Sequence, residues 1–194
     1  IPVPAFPAVK TRTEGKLKVT AASRFVREKG LDVYLKAVSK LGEKTRQMAE
    51  FNIAGEGVLE SELAAENERY GAGIKFSGSV VDMYAMLEQT HIFVYPSRSA
   101  SEGFPAVLTE AGASNCLVLS SDFDGVTKVI TDNKEGLLFR KDDAGGLAMI
   151  LEAVINDYEK YEEIALSFYR KVKDLYDLDK MLNKHMDLYK ACLR

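Results

Sequence analysis

Glu102 and Glu110 stand eight positions apart, beside a stretch whose order of elements is typical of an anion site. Ahead of them, residues 91–95 form a short apolar and aromatic run, which predicts a buried strand. Residues 106–113 are mostly helix formers, and Pro105 suits a first helical turn because its φ is preset and it needs no amide partner. Strand, loop and helix together would aim backbone amides and the positive end of a helix dipole at one spot, which favours a phosphate.

The spacing of the two carboxylates indicates what else could bind there. A continuous helix would separate them by about 12 Å along its axis, and an intervening loop reduces this to roughly 10 Å. An acid/base pair acting on one bond is closer, at about 5–9.5 Å. The wider gap fits two acceptors that hold hydroxyl groups at either end of an anionic linker, as in a nucleoside diphosphate sugar. We predict that Glu110 binds the ribose, the amides of residues 103–106 bind phosphate, and Glu102 binds the sugar; the alternative is that both are ordinary solvated residues.

A second group of candidates follows the first predicted strand, residues 17–23. The loop of residues 24–30 carries four charges in seven residues. Arg24 could neutralise a diphosphate through a forked contact and Lys29 as a point charge, since both would lie on the rim where the helix of residues 106–113 begins. The alternative is an ordinary solvated loop.

The elements that must position these residues alternate between strand and helix patterns. This alternation predicts an α/β fold with a doubly wound parallel sheet, Rossmann-like and followed by C-terminal helices. Ligands of such sheets bind at the carboxyl ends of the strands, near a topological switch point. The predicted strands are residues 17–23, 50–54, 74–77, 91–95, 117–120 and 136–139, and the predicted helices are 31–41, 59–70, 82–89, 106–113 and 125–131. From Ala144 onward three apolar stripes at helical spacing predict packing faces.

Composition narrows the class of protein. A chain of 194 residues, 46% hydrophobic, can form one α/β domain with a helical tail. A net charge of −3 gives no basic field to attract nucleic acid. No apolar run approaches the roughly 20 residues that span a bilayer, and Cys116 and Cys192 make no disulfide framework. We expect a cytoplasmic location, with contact at the inner membrane face as the second option, and a piece of a longer chain, because it opens at Ile1 rather than Met.

Several other sequence patterns favour a structural role over a catalytic or metal-binding one. Gly55 and Gly57 follow a strand without the third glycine of a dinucleotide fingerprint, so we interpret them as a strand-end turn near the ligand. The motif Asp122-Phe123-Asp124 resembles a metal-binding pair, but Asp177-Leu178-Asp179 has the same form inside a helical stretch. We therefore expect no metal and no cofactor. His91 and His185 lack partners at metal-ligand spacing.

Taken together, these segments resemble the C-terminal, donor-binding domain of the GT-B glycosyltransferases, in particular the large retaining family called group 1 or family four. The resemblance covers about residues 17–139. It rests on six segments in the right order and spacing: residues 23–32, 53–57, 76–80, 96–97, 102–111 and 136–139.

The resemblance implies a role for each candidate residue. Arg24 and Lys29 would bind the donor diphosphate and, with Glu102, form the catalytic group. The backbone of residues 103–105 would assist at the sugar, so that Gly103, Phe104, Pro105 and Ala106 join the substrate-binding set with Gly55. Glu110 would bind the ribose and the backbone near Val80 the base. The family transfers sugar with retention at the anomeric carbon and without a metal ion.

The chain departs from the family pattern at four positions. Asn115 and Leu117 stand where a Gly and a Pro are usual, and Asp124 and Lys128 replace a Gly and an acidic residue near the donor sugar. These departures leave the donor sugar, the acceptor and the level of activity open. They motivate one alternative, a catalytically degenerate GT-B binding module. A further alternative is another GT-B enzyme, such as an epimerase or a phosphorylase, the last of which would require pyridoxal phosphate.

The resemblance also implies a domain organisation. Residues 1–15 would be a proline-rich linker from an N-terminal acceptor domain, residues 16–175 the donor-binding domain, and residues 176–194 a helix packing toward that missing domain. The expected partners are a nucleotide sugar, UDP-linked in preference to GDP-mannose, and the N-terminal domain of the same chain. Any membrane association would come through that domain. The 194-residue piece alone would bind nucleotide and transfer little or no sugar.

Overall fold

The computed structural model describes residue 10, residues 15–99 and residues 103–192. The strands are β1 (Leu17–Ala22), β2 (Ala49–Ala54), β3 (Lys75–Phe76), β4 (Ile92–Tyr95), β5 (Leu117–Ser121) and β6 (Leu137–Phe139). The helices are α1 (Leu31–Ser39), α2 (Glu43–Gln47), α3 (Glu60–Tyr70), α4 (Met83–Gln89), α5 (Ala106–Ala113), α6 (Asp124–Thr127), α7 (Ala144–Asn156), α8 (Glu162–Leu175) and α9 (Leu178–Cys192). Short 3-10 turns lie at Arg27–Lys29 and Tyr158–Tyr161.

The six strands form one parallel sheet in the order β3-β2-β1-β4-β5-β6. The predicted doubly wound parallel sheet is therefore confirmed. The order reverses between β1 and β4, so this pair of neighbouring strands is the topological switch point. Because parallel strands all end at the same edge, the loops after β1 and β4 lie side by side there.

The core has one layer on each face of the sheet. On one face, α1 and α7 cover buried side chains such as Val19, Leu35 and Leu151. On the other face, α5 and α8 cover Phe93 and Leu108. Strands β4 and β5 are buried on both faces, which explains their nearly continuous hydrophobic runs, whereas β2 alternates buried residues with the less buried Glu50 and Asn52.

Element boundaries differ from the predicted ones where local signals are weak. The five-residue helix α2 was not predicted, because it has no apolar stripe and buries only Thr45. Strand β3 is two residues long rather than four, and α6 begins at Asp124 and ends at Thr127 rather than spanning 125–131. Residues beyond the shortened α6, including Val129 and Ile130, are buried although they are not helical.

The last two helices differ in packing. Helix α8 buries Phe168 and Val172 against the sheet layer. Helix α9 buries no residue, and its apolar stripe, including Leu182, Met186 and Tyr189, is exposed. The third stripe is therefore not covered within the described residues, and its role as a packing face stays a prediction. None of the described helices is long and apolar enough to cross a membrane.

The predicted domain division is not decided by this fold. The linker predicted for residues 1–15 lies outside the described residues except for Lys10 and Gly15, and it stays a prediction. The side chain of Lys10 is half-buried and donates to the carbonyl of Leu87 at 2.7 Å.

Candidate functional site

A cleft of about 470 Å³ opens at the carboxyl ends of β1, β2 and β4, across the switch point. It is lined by the loops after β1, β2 and β3 on one side and by α4 and the amino end of α5 on the other. Its lining residues are Ala22, Ser23, Arg24, Lys29, Ala54, Gly55, Glu56, Ser79, Val80, Met83, Tyr95, Phe104, Pro105, Ala106, Val107 and Glu110.

The structure brings together most of the residues that the sequence singled out. Eight line this one cleft: Arg24, Lys29, Gly55, Val80, Phe104, Pro105, Ala106 and Glu110. Gly103 is exposed next to Phe104 and does not line it. Glu102 lies outside the described residues, so its placement and role stay predictions.

The loop after β1 presents its two cations by a tight turn. Arg24 follows the strand almost directly and is exposed, whereas Lys29 lies in the 3-10 turn and is half-buried. Gly30 ends this turn with φ +64, and a Cβ there would lie 2.0 Å from the carbonyl oxygen of Pro96. A residue without a side chain is therefore required for the loop after β1 to touch the loop after β4.

Lys29 reaches the end of β4. Its Nζ donates to the hydroxyl of Tyr95 at 3.4 Å and lies 5.7 Å from the centre of the Tyr95 ring. The ammonium is thus held at the switch point by a hydrogen bond and a cation–π contact. The sequence interpretation missed Tyr95, although its place as the last residue of β4, just before Pro96, marks a strand end at the predicted edge.

Gly55 explains how the loop after β2 approaches the same edge. Its φ is +129, and a Cβ would meet the carbonyl oxygen of Ser23 at 1.9 Å. Its amide donates to the carbonyl of Gly78 at 2.7 Å, which joins the loop after β2 to the loop after β3. These contacts bring Val80 to the wall of the cleft.

The opposite wall is the amino end of α5. Pro105 is the N-cap residue, and the backbone of Ala106 and Val107 forms the first turn at the cleft. Glu110 is half-buried one turn further along. Burial raises the pKa of the nearby Tyr84, and the negative charge of Glu110 raises it further. The wall therefore combines the positive end of a helix dipole with the carboxylate of Glu110.

An ionic cluster beside the cleft was also missed. The Arg98 guanidinium binds both carboxylate oxygens of Asp32 at 2.6 and 2.8 Å. Burial would raise the pKa of Asp32, but the hydrogen bonds from Arg98 and Lys36 outweigh it and lower the pKa to about 2. The hydrogen bond to Asp32 and, less strongly, the one to Asp142 raise the pKa of Arg98. Arg98 lies in the predicted loop between the strand of residues 91–95 and the helix of residues 106–113, but its residue type does not specify a partner 66 positions away.

The Asp122-Phe123-Asp124 motif has structural contacts. Asp122 accepts a hydrogen bond from the amide of Lys141 at 3.1 Å, and Phe123 packs near the Tyr95 ring. Within residues 10, 15–99 and 103–192 there is no group of three or more Asp, Glu, His or Cys side chains that could hold a metal ion. His91 is buried and accepts from the amide of Lys18 at 3.1 Å.

Comparison with known proteins fits a Rossmann-like domain with a ligand cleft at its switch point. Residues 3–167 match the family described as Glycosyl transferases group 1. A relative from Campylobacter jejuni, GalNAc-alpha-(1->4)-GalNAc-alpha-(1->3)-diNAcBac-PP-undecaprenol alpha-1,4-N-acetyl-D-galactosaminyltransferase, is 33% identical over 143 residues. That match covers 73% of this chain and 39% of the relative. The chain belongs to the group 1 glycosyl transferase family.

Solved structures show the same fold. HepE of Anabaena, solved in complex with UDP and glucose, superposes with a TM-score of 0.83 at 18% sequence identity. The match covers 94% of this chain and 53% of the HepE chain. The C-terminal domain of the group 1 family protein LpcC from Francisella tularensis superposes with a TM-score of 0.75 at 24% sequence identity. That match covers 84% of this chain and 88% of the LpcC domain. The resemblance to a C-terminal GT-B domain is thereby confirmed.

Proposed function

We propose that this chain is the donor-binding half of a retaining glycosyltransferase that transfers a sugar from a nucleoside diphosphate sugar, with a UDP-sugar favoured over GDP-mannose. The observation that carries the proposal is the single cleft at the switch point, which places Arg24 and Lys29 on one wall and the amino end of α5 with Glu110 on the other. Two cations facing a helix amino end suit a diphosphate, because all three attract negative charge.

The cleft also has room for the rest of such a donor. A volume of about 470 Å³ is within the range of sites that hold ligands of nucleotide size. In the proposed arrangement, Glu110 accepts from the ribose hydroxyls, and the backbone near Gly55 and Val80 meets the base. The backbone of residues 103–106 assists at the phosphate and sugar, and Glu102 binds the sugar hydroxyls.

The chemistry assigned to Arg24 and Lys29 is stabilisation of the leaving group. When the bond between the anomeric carbon and the diphosphate breaks, negative charge grows on the diphosphate oxygens. Two cations and a helix amino end at the cleft then stabilise the transition state more than the ground state, which is how electrostatic catalysis lowers a barrier. In this mechanism no metal ion or other cofactor is required.

The departures from the family pattern lie outside the cleft wall. Asn115, Leu117, Asp124 and Lys128 do not line the cleft. This supports an intact donor site over a degenerate binding module, while leaving the choice of sugar to residues beyond the wall. HepE was solved with UDP and glucose, and the C. jejuni relative is named for transfer to an undecaprenol-linked acceptor. For this chain we propose polysaccharide biosynthesis on a glycan, a lipid-linked or a small glycoside acceptor.

The acceptor would be bound by a second domain. Residues 16–175 would form the donor-binding domain, and α9 would dock on an N-terminal acceptor domain, to which any membrane association would also belong. The exposed apolar stripe of α9 supports this, because an apolar helix face is normally covered. The chain spans 39% of the length of the C. jejuni relative, which leaves ample room for another domain in proteins of that kind. Robust sugar transfer by the 194-residue chain alone would contradict this division.

Calorimetric titration tests the donor site. UDP, GDP and ADP are titrated into the chain and into Arg24→Ala, with Arg27→Ala as the matched control. We expect one nucleotide to bind and Arg24→Ala to weaken it by about 1.5–3 kcal/mol, the usual worth of a charge-assisted hydrogen bond. Arg27 lies in the same loop but pairs with Glu62 at 3.2 Å, so its removal should change affinity little. Negligible heat for all three nucleotides, or equal affinity of the wild-type chain and Arg24→Ala, would overturn the proposal.

A further inference from the structure

Arg98 connects three loops at the carboxyl edge of the sheet. Its two terminal nitrogens bind the carboxylate of Asp32, at the start of α1, at 2.6 and 2.8 Å. Its Nε donates to Asp142, in the loop between β6 and α7. Arg98 itself follows β4. One guanidinium therefore joins the loops after β1, β4 and β6.

The same residue holds the backbone on the amino side of Lys29. The Arg98 amide donates to the carbonyl of Glu28 at 2.7 Å, and one terminal nitrogen donates to the carbonyl of Arg27 at 3.1 Å. Ser97 Oγ adds a second bond to the Glu28 carbonyl, at 3.1 Å. On the carboxyl side, Gly30 is pressed against the carbonyl of Pro96. The turn that carries Lys29 is thus fixed on both sides to the segment that leads from β4 toward α5.

The charges around Arg98 argue against direct contact with an anion. Four of its five N–H groups already donate, one to Asp142, two to Asp32 and one to a carbonyl. Two carboxylates surround one guanidinium, so the cluster offers no net positive charge. Arg98 does not line the cleft, whereas Lys29 does.

We propose that the Arg98–Asp32 pair is a positioning device that holds the Lys29 turn in place for the diphosphate, an inference that rests on the proposed donor site. A lysine ammonium sits on a long flexible stem, and ordering it on binding costs conformational entropy. A backbone turn that is already fixed, with the ammonium already placed against Tyr95, removes part of that cost. Arg98 would therefore increase donor affinity without touching the donor.

A double-mutant cycle separates positioning from contact. UDP affinity is measured for the wild-type chain, Arg98→Gln, Lys29→Gln and the double variant, with Arg170→Gln as control. We expect Arg98→Gln to weaken UDP about tenfold in the wild-type background and less than about twofold when Lys29 is already replaced, since residues of one network are coupled. Arg170 forms an exposed pair with Glu163 and should leave affinity unchanged. An equal loss in both backgrounds would show that Arg98 acts independently of Lys29 and would overturn the proposal.

Hydrogen exchange gives a readout that needs no ligand. The amides of Lys29 and Gly30 donate to the carbonyls of Val26 and Arg27 at 3.0 and 3.1 Å. Arg98→Gln should speed their exchange about tenfold while the amides of β1 stay within about twofold of wild type, because only the turn is released. Unchanged exchange of these two amides would overturn the proposal even if UDP binds.

Two further outcomes keep the tests separate. If Arg98→Gln fails to fold cooperatively, Asp32→Asn removes the same ion pair from the other side and should give the same loss of affinity and the same faster exchange. The second outcome is that the wild-type chain binds no nucleotide while Arg98→Gln still speeds exchange in the Lys29 turn. In that case the donor-site proposal fails, and the inference that Arg98 holds the turn in place stands.

Discussion

The first half of α5 faces the cleft, whereas its second half packs in the core. Its first turn, with Ala106 and Val107, opens on the cleft, and Glu110 is only half-buried. Its last turn, residues 111–113, is buried against α8, where a Cβ on Gly112 would meet the ring of Phe168 at 2.8 Å. The rigid core contact at one end holds the other end still at the cleft, as a preorganised binding site requires. Substitutions in the core half should therefore change stability, and those in the cleft half should change affinity.

The largest effect is expected where α5 meets α8. Phe168→Ala should lower the free energy of unfolding by about 3–5 kcal/mol, since it empties a fully buried aromatic site. Urea denaturation measures this. Phe104→Ala is the matched control at the cleft end, because Phe104 is 48% exposed and its ring centre lies 5.3 Å from that of Tyr176. We expect the control to cost less than about 1 kcal/mol, and similar costs for the two variants would refute the division of α5.

A larger side chain at Gly112 is a second test of the contact between α5 and α8. Gly112→Val should destabilise the fold by about 1–3 kcal/mol, because the new side chain overlaps Phe168 and Val172. Gly103→Val, at a position where an added Cβ meets nothing within 4 Å, should have a much smaller effect. Thermal or urea unfolding of the pair decides the point. A Gly112→Val variant as stable as the wild-type chain would contradict the view that the contact between α5 and α8 is rigid.

In the half of α5 that faces the cleft, a substitution should change nucleotide affinity rather than the stability of the fold. Glu110→Ala should weaken UDP binding by about 1.5 kcal/mol, the worth of a hydrogen bond to a charged group, and change the free energy of unfolding by less than about 0.5 kcal/mol. Titration with 2′-deoxy-UDP sharpens the test, because a nucleotide with fewer ribose hydroxyls should lose less affinity on this substitution. A loss of stability without a loss of affinity would place Glu110 with the core half.

The smallest effect concerns pH. The pKa of Asp32 is about 2 in the folded chain and about 3.9 in an unfolded one, so its ionised form favours folding at neutral pH. Asp32→Asn should cost about 1 kcal/mol near pH 7, after allowance for the solvent that screens a half-buried pair. This cost is fully present above about pH 4 and should disappear as the pH falls toward 2. The cost of Phe168→Ala, which involves no charge, should persist over the same range, as urea titrations at several pH values would show.

Much of the cleft was predictable because parallel strands end at one edge. The alternating pattern indicated the sheet, and residues that follow its strands had to gather at that edge. Arg24 and Lys29 were predicted in this way, and Glu110 was predicted from its spacing to Glu102 and its place on the helix that begins at the same edge. Tyr95 and Arg98 were not assigned, since their contacts join positions 66 residues apart and nothing in a tyrosine or an arginine specifies its partner.

Helices α8 and α9 show the same limit for packing. Both have an apolar stripe at helical spacing, and the stripes are indistinguishable in the sequence. In the fold, α8 buries its stripe on α5 and the sheet, whereas α9 leaves its stripe exposed. An amphipathic pattern states that a face avoids water, but it does not state what covers that face.

The sequence by itself determined the class of fold, the edge where the cleft lies and half of the residues that line it, because periodicity and strand ends are local properties of a chain. The tertiary structure alone decided which loops touch: the Arg98 guanidinium on Asp32, the Lys29 ammonium on Tyr95 and the Phe168 ring on Gly112. Such contacts depend on distances between segments that are far apart in sequence, and these distances exist only once the sheet has formed.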